Sequence, residues 1–220
     1  MLLTSALDFM SLAYRPVLTR GRDENFSFLD RTEGPYATYV LAPELSDHTS
    51  TYLWGDKVRT LFDALDRGYS TIATIHADTP QQALDMLAAP PVLVPDHLLH
   101  RVQFAAYLNL SYGDRDMTHR LGVLSAVTRA DNNVRAAPEV VALARWLSET
   151  DNLAVEDSNA ARKAVAGNLR MPIEPVLAEK AKVPKSLLDV APMDPDELRQ
   201  AVTDYYRVRI LGDRPSSTGH

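Results

Sequence analysis

The sequence contains no cysteine. Disulfides, thiolate nucleophiles and cysteine-ligated metals are therefore excluded, and the absence agrees with a cytoplasmic chain. Lysine is also scarce: of 23 basic residues only Lys57, Lys163, Lys180, Lys182 and Lys185 are lysines. The formal net charge is −6, so the basic footprint of a general nucleic-acid binder is missing and no direct nucleic-acid binding is expected. No apolar run reaches the length of a membrane span. No basic residue precedes the apolar N-terminal stretch, so neither a transmembrane helix nor a signal peptide is expected. None of the five lysines stands in Gly-x-x-x-x-Gly-Lys-Ser/Thr. The 220 residues thus lack the loop whose backbone N–H groups and lysine cradle the β- and γ-phosphates of a nucleotide.

What is present is ordinary globular material. Hydrophobic residues make up 45% and charged residues 24% of the chain, enough for one good-sized core or two small ones. "MLLTSALDFMSLAY" places Leu2, Leu3, Ala6, Leu7 and Met10 on one helical face. "RPVLT" and "YATYVLAPEL" read as strands, with a charged, turn-rich stretch between them. "LSDHTSTYLWG" is a polar connection. Val58, Leu61, Phe62 and Leu65 recur at helical spacing from Asp56, and Gly68 closes that helix. Ser70–Ile75 is a strand, and a helix follows to Ala88 with Asp78 or Thr79 as N-cap and Pro80 in the first turn.

"RVQFAAYLNLSYG" and "HRLGVLSAVTRA" read as a hairpin around "GDRD", and "PEVVALARWLSE" as a helix opened by Pro138. Beyond Asp151 only helices are expected, near residues 158–167, 172–182 and 195–208, separated by proline joints at Pro184 and Pro192. Strands alternating with helices and then a hairpin predict an α/β sheet over 1–150. A small helical appendage at 151–210 and a disordered tail at 211–220 complete the expected chain.

The chemistry centres on "TIATIHADTPQQALDML", Thr71–Leu87. A strand of small and β-branched residues ends in His76. A strand-end histidine can be purely structural, one nitrogen on backbone and the other on water. In open α/β sheets, however, working residues gather at the carboxyl edge of the strands, and a following helix N-terminus favours anions. Trp54 and Trp146 sit among apolar neighbours and read as core residues. His48, His97, His100 and His119 show no metal-ligand spacing, and no metal site is read from them.

Thr74-Ile75-His76-Ala77-Asp78, followed by Gln82-Ala83-Leu84, resembles the histidine box of the type II/IV secretion ATPases. These are RecA-like hexameric motors of pilus assembly, secretion and DNA conjugation. "YATYVLAPELSD" is similar to that family's second nucleotide motif, a hydrophobic strand ending in Gly-Glu, with Pro43 in place of glycine and Glu44 in the acidic position. Asp56 in "LWGD" is the alternative acid. "RPVLTRGRDENF" occupies the place of the acidic box, with Asp23 and Glu24 as carboxylates. "MLLTSALDF" resembles the helix that follows the phosphate loop, so the chain reads as beginning just past that loop. A late-assigned start, a truncation and a degenerate paralogue are the alternatives.

The resemblance covers about residues 2–150. It implies a partial RecA-like P-loop NTPase sheet with flanking helices and a β-hairpin, ATP and Mg²⁺ as ligands of the complete motor, and a homo-oligomeric ring or a ring of related subunits. It further implies membrane-embedded secretion components as partners and a cytoplasmic place beside the inner membrane. Glu44 would polarise the attacking water, Asp23 or Glu24 would help place metal or water, and His76 would sense the γ-phosphate. Arg101, Arg115, Arg120 and Arg129 are candidates for a subunit-interface finger. Two other classes remain open: a non-catalytic module that packs into a ring, and an α/β binding domain whose histidine box is coincidental.

Overall fold

The computed structural model describes residues 10, 14–30, 34–112, 117–129, 136–172, 174 and 195–212. The expected helix at 1–9, the "GDRD" turn with Arg115, the helix at 175–182, the joints at Pro184 and Pro192 and the tail from 213 lie outside the described residues. The fold is mixed α/β and contains two sheets. The first is parallel, with β1 (Arg15–Leu18), β2 (Thr38–Ala42) and β3 (Ser70–Ala73) side by side in sequence order. In β2, Val40, Leu41 and Ala42 are all buried, the expected pattern for a central parallel strand covered on both faces. β1 is an edge strand of alternating burial, which is where Pro16 is tolerated.

The crossover from β2 to β3 is α1 (Asp56–Asp66), which buries Val58, Leu61, Phe62, Ala64 and Leu65. It ends in a Schellman arrangement: the Gly68 N–H donates to the Leu65 carbonyl (3.1 Å) and the Tyr69 N–H to that of Ala64 (3.2 Å). Gly68 has φ +100°, and a Cβ there would meet the Tyr36 ring at 2.7 Å. The helix stop foreseen at Gly68 therefore has both a conformational and a steric cause. α2 (Pro80–Ala88) follows β3 and buries Leu84 and Leu87, and α3 (Asp96–Leu99) buries Leu98 and Leu99. These helices join Phe26, Phe28, Leu45 and Leu53 in one apolar core, against which Trp54 packs.

The second sheet is an antiparallel meander of β4 (Phe104–Tyr112), β5 (Met117–Arg129), β6 (Pro138–Leu147) and β7 (Asn152–Val155). The β4–β5 pairing bears out the hairpin. The helix expected at "PEVVALARWLSE" is instead β6, paired along Arg129↔Pro138 to Val123↔Arg145. Its apolar run satisfies either period. The β-branched Val140 and Val141 and two neighbouring strands decide it, and Pro138 sits at the first strand position, where a missing N–H is tolerated.

The helix-only expectation beyond Asp151 fails for the same reason. β7 pairs Ala144↔Val155 to Leu147↔Asn152, extending the sheet past that point. The turn between these strands carries Asp151 at φ +48°, and its carboxylate accepts from Trp146 Nε1 (2.9 Å) and Arg120 Nε (2.9 Å). Trp146 is thus a half-buried turn clamp, not a member of either core. α4 (Asn159–Leu169) covers β5 and β6 with Ala161 and Ala164 against Ala126 and Leu143. The helix expected near 195–208 is α5 (Pro195–Gly212).

The two sheets meet through polar contacts. The Arg129 guanidinium, on β5, donates to the His97 carbonyl (2.8 Å) and to His100 Nδ1, in and just after α3. An arginine can only donate, so His100 Nδ1 must be the lone-pair acceptor and the ring neutral. Burial first, then the positive charges of Arg129 and Arg101, hold the His100 pKa below its usual 6.5, against the opposing pull of Asp66.

Below 6.5 the unfolded chain takes up this proton before the folded chain does, so stability falls as pH drops through the window beneath that value. The urea midpoint is expected to fall between about pH 7.5 and 5.5 by more in the wild type than in His100→Gln. Equal acid sensitivity in the two proteins would contradict this assignment.

Candidate functional site

Three parallel strands running the same way put three loops at one carboxyl edge: residues 19–24 after β1, 43–55 after β2 and 74–79 after β3. The loops are tied to one another by backbone. The Leu45 N–H donates to the Thr74 carbonyl (2.8 Å), and the Thr74 hydroxyl donates to the Pro43 carbonyl. On the other side, the Arg22 N–H donates to the Ser50 carbonyl (2.9 Å) and the Arg22 guanidinium to the Asp47 carbonyl (2.9 Å). Gly21 permits that approach. It has φ +65°, and a Cβ on it would stand 2.3 Å from Ser50 O.

The stretch expected as a mere polar connection is folded with purpose. Leu45 and Leu53 form an isolated parallel bridge, with Leu53 N–H to Glu44 O at 3.1 Å and Ser46 N–H to Leu53 O at 3.0 Å. The loop between them therefore closes on itself and carries His48 back over Glu44. Glu44 is only 7% exposed, and its Oε1 accepts a 2.7 Å hydrogen bond from the Ser46 hydroxyl. His48 Nδ1 lies 3.5 Å and His76 Nδ1 3.7 Å from the same Oε1. The two imidazoles have centroids 6.0 Å apart and face solvent. Glu44 and His76, named by separate sequence motifs, thus share one site.

His48 is the residue that sequence reasoning missed. Its spacing to other histidines carries no ligand signature, because its partner comes from a neighbouring strand end. The available signal was local: Glu44 and His48 flank a loop that must turn sharply.

The acidic pair Asp23 and Glu24 divides. Asp23 is exposed in a short 3₁₀ turn, Gly21–Asp23. Glu24 is 3% exposed, and its two oxygens accept from the Arg20 N–H (2.9 Å) and the Phe26 N–H (2.7 Å). A carboxylate so engaged pins the loop, including Phe26 at φ +52°. A groove of about 220 Å³ beside β1 is lined by Glu24 with Arg15, Val17, Leu18, Arg20, Ser27 and Phe28, and includes neither Glu44 nor His76. Asp56, the alternative acid, is exposed at the start of α1 directly after Gly55, which has φ +60°.

The N-terminus of α2 is already capped. Thr79 Oγ1 accepts from the Gln82 N–H (3.1 Å), and the Gln82 side-chain carbonyl accepts from the Asp78 N–H. Of the candidate finger arginines, Arg101 pairs with Asp66, Arg120 with Asp151, and Arg129 bridges the two sheets.

The donor set does not suit Mg²⁺, which prefers six oxygens in octahedral array. Two imidazole nitrogens and one carboxylate converge here, and Glu24 is engaged by amides.

Glu24→Gln replaces one accepting oxygen by an NH₂ facing an N–H donor. It is expected to lower stability by about 1–3 kcal/mol while leaving the His48 and His76 imidazole NMR signals in place. A neutral substitution would contradict the pinning role, and moved imidazole signals would show that Glu24 is coupled to the site.

Compared with known proteins, the sequence matches no family model and no curated protein.

Proposed function

We propose that this chain is part of a motor ATPase of the secretion and pilus-assembly type, supplying the carboxyl-edge groups that act on the nucleotide's terminal phosphate. One observation supports the reading above the others. Glu44 and His76, which the family's second nucleotide motif and histidine box assign separately, stand 3.7 Å apart at the carboxyl edge of a parallel sheet.

In this account Glu44, buried and held by Ser46, orients the attacking water and accepts its proton. His76 meets the γ-phosphate with its solvent-facing ring, and Ala77–Thr79 carries its position into α2, which starts four residues later. The phosphate grip and the Mg²⁺ ligands come from a loop that these 220 residues do not contain. The partners in this reading are other ATPase subunits in a ring and membrane-embedded secretion components.

A second reading, a ring module that does not hydrolyse ATP, draws on the engaged state of Glu24 and on a Glu44, His48 and His76 donor set that does not suit Mg²⁺.

The motor reading predicts that the isolated chain shows no micromolar Mg-ATP binding by calorimetry. In the ATPase assembly purified from its native cells, Glu44→Gln should lower kcat by about 10²-fold or more with little change in KM. Unchanged hydrolysis in that assembly would leave the non-catalytic module.

A further inference from the structure

We infer that Glu44, His48 and His76 form a site for one first-row transition-metal ion of the Zn²⁺ class. One ligand atom from each of the three side chains lies within 4.8 Å of the other two. Donors bound tetrahedrally at about 2.0–2.2 Å from zinc are about 3.3–3.6 Å apart. Of the two carboxylate–imidazole separations, that to His48 Nδ1, 3.5 Å, already stands at that length, and that to His76 Nδ1, 3.7 Å, is slightly longer. Small ring rotations would close the remaining separations, and both rings are exposed and free to turn about their side-chain bonds: 62% of the His48 and 75% of the His76 side chain faces solvent.

The anchor is the buried member. Glu44 is held by the backbone ties of residues 43–46 to Thr74 and Leu53, and its carboxylate is oriented by the Ser46 hydroxyl. That is the outer-shell support which metal-binding carboxylates use. Two imidazoles and one carboxylate select zinc, cobalt, nickel or copper over magnesium and calcium. The set leaves a fourth position open on the solvent side, the pattern of a site that also holds water or a small anion.

The ion would join the loop after β2 to the loop after β3, bridging two strand ends that the chain otherwise ties only by hydrogen bonds. The inference is independent of the motor reading, because it concerns binding by this chain alone.

The test uses the full 220-residue chain without a polyhistidine tag, stripped of metal and titrated with Zn²⁺ by calorimetry and with Co²⁺ by visible absorption. One Zn²⁺ per chain and a four-coordinate Co²⁺ spectrum are expected. His48→Asn and His76→Asn, both at exposed positions and checked by circular dichroism for retained fold, should each weaken binding at least tenfold. Ser46→Ala should weaken it by about 10-fold or more, as loss of a supporting contact does. His97→Asn should leave affinity unchanged, and excess Mg²⁺ should not displace the ion. No uptake of Zn²⁺ in large excess, uptake unaffected by both site histidine variants, or ready displacement by Mg²⁺ would each overturn the assignment.

Discussion

The arrangement depends on how Thr74 ties the ends of two parallel strands. β2 and β3 run in register as far as Ala42↔Ala73. There Pro43 interrupts the ladder, because it has no N–H to give. Thr74 takes over, offering its hydroxyl to the Pro43 carbonyl and its carbonyl to the Leu45 N–H. Glu44 is thereby enclosed between two fixed residues, with its side chain turned inward beside His76. A carboxylate this buried is tolerable only with partners, and Ser46, His48 and His76 surround it.

The same economy of local ties holds the rest of the edge together. Glu24 and Gly21 both hold loops in place. One satisfies two amides and the other lets two loops touch, so the edge is held from the β1 side while Glu44, His48 and His76 gather on the β2–β3 side. Arg129 and His100 connect this parallel unit to the antiparallel sheet. A transition-metal ion at the edge would engage the very groups that the motor reading assigns to water and phosphate, so the two occupancies would exclude each other.

Much of the parallel half was legible in the sequence because its signals are local. Amphipathic spacing from Val58 to Leu65, the Gly68 stop and the Thr79-Pro80 start each state their own structure. The antiparallel half was not, since "PEVVALARWLSE" meets both periods and only a neighbouring strand breaks the tie. Pairing between distant strands also hid the split into two sheets. At the site, Glu44 and His76 were legible through their motifs. His48 was hidden by a loop whose fold depends on the Leu45–Leu53 bridge, and Asp23 and Glu24 could not be told apart until one turned inward.

The most direct measurement of the central claim, that this strand edge unites the two histidines over Glu44, is a proton NOE experiment on the metal-free chain with its six histidines labelled. Imidazole centroids 6.0 Å apart predict a cross-peak between the carbon-bound ring protons of His48 and His76. Sharp, assigned signals from both rings with no cross-peak between them would contradict the site.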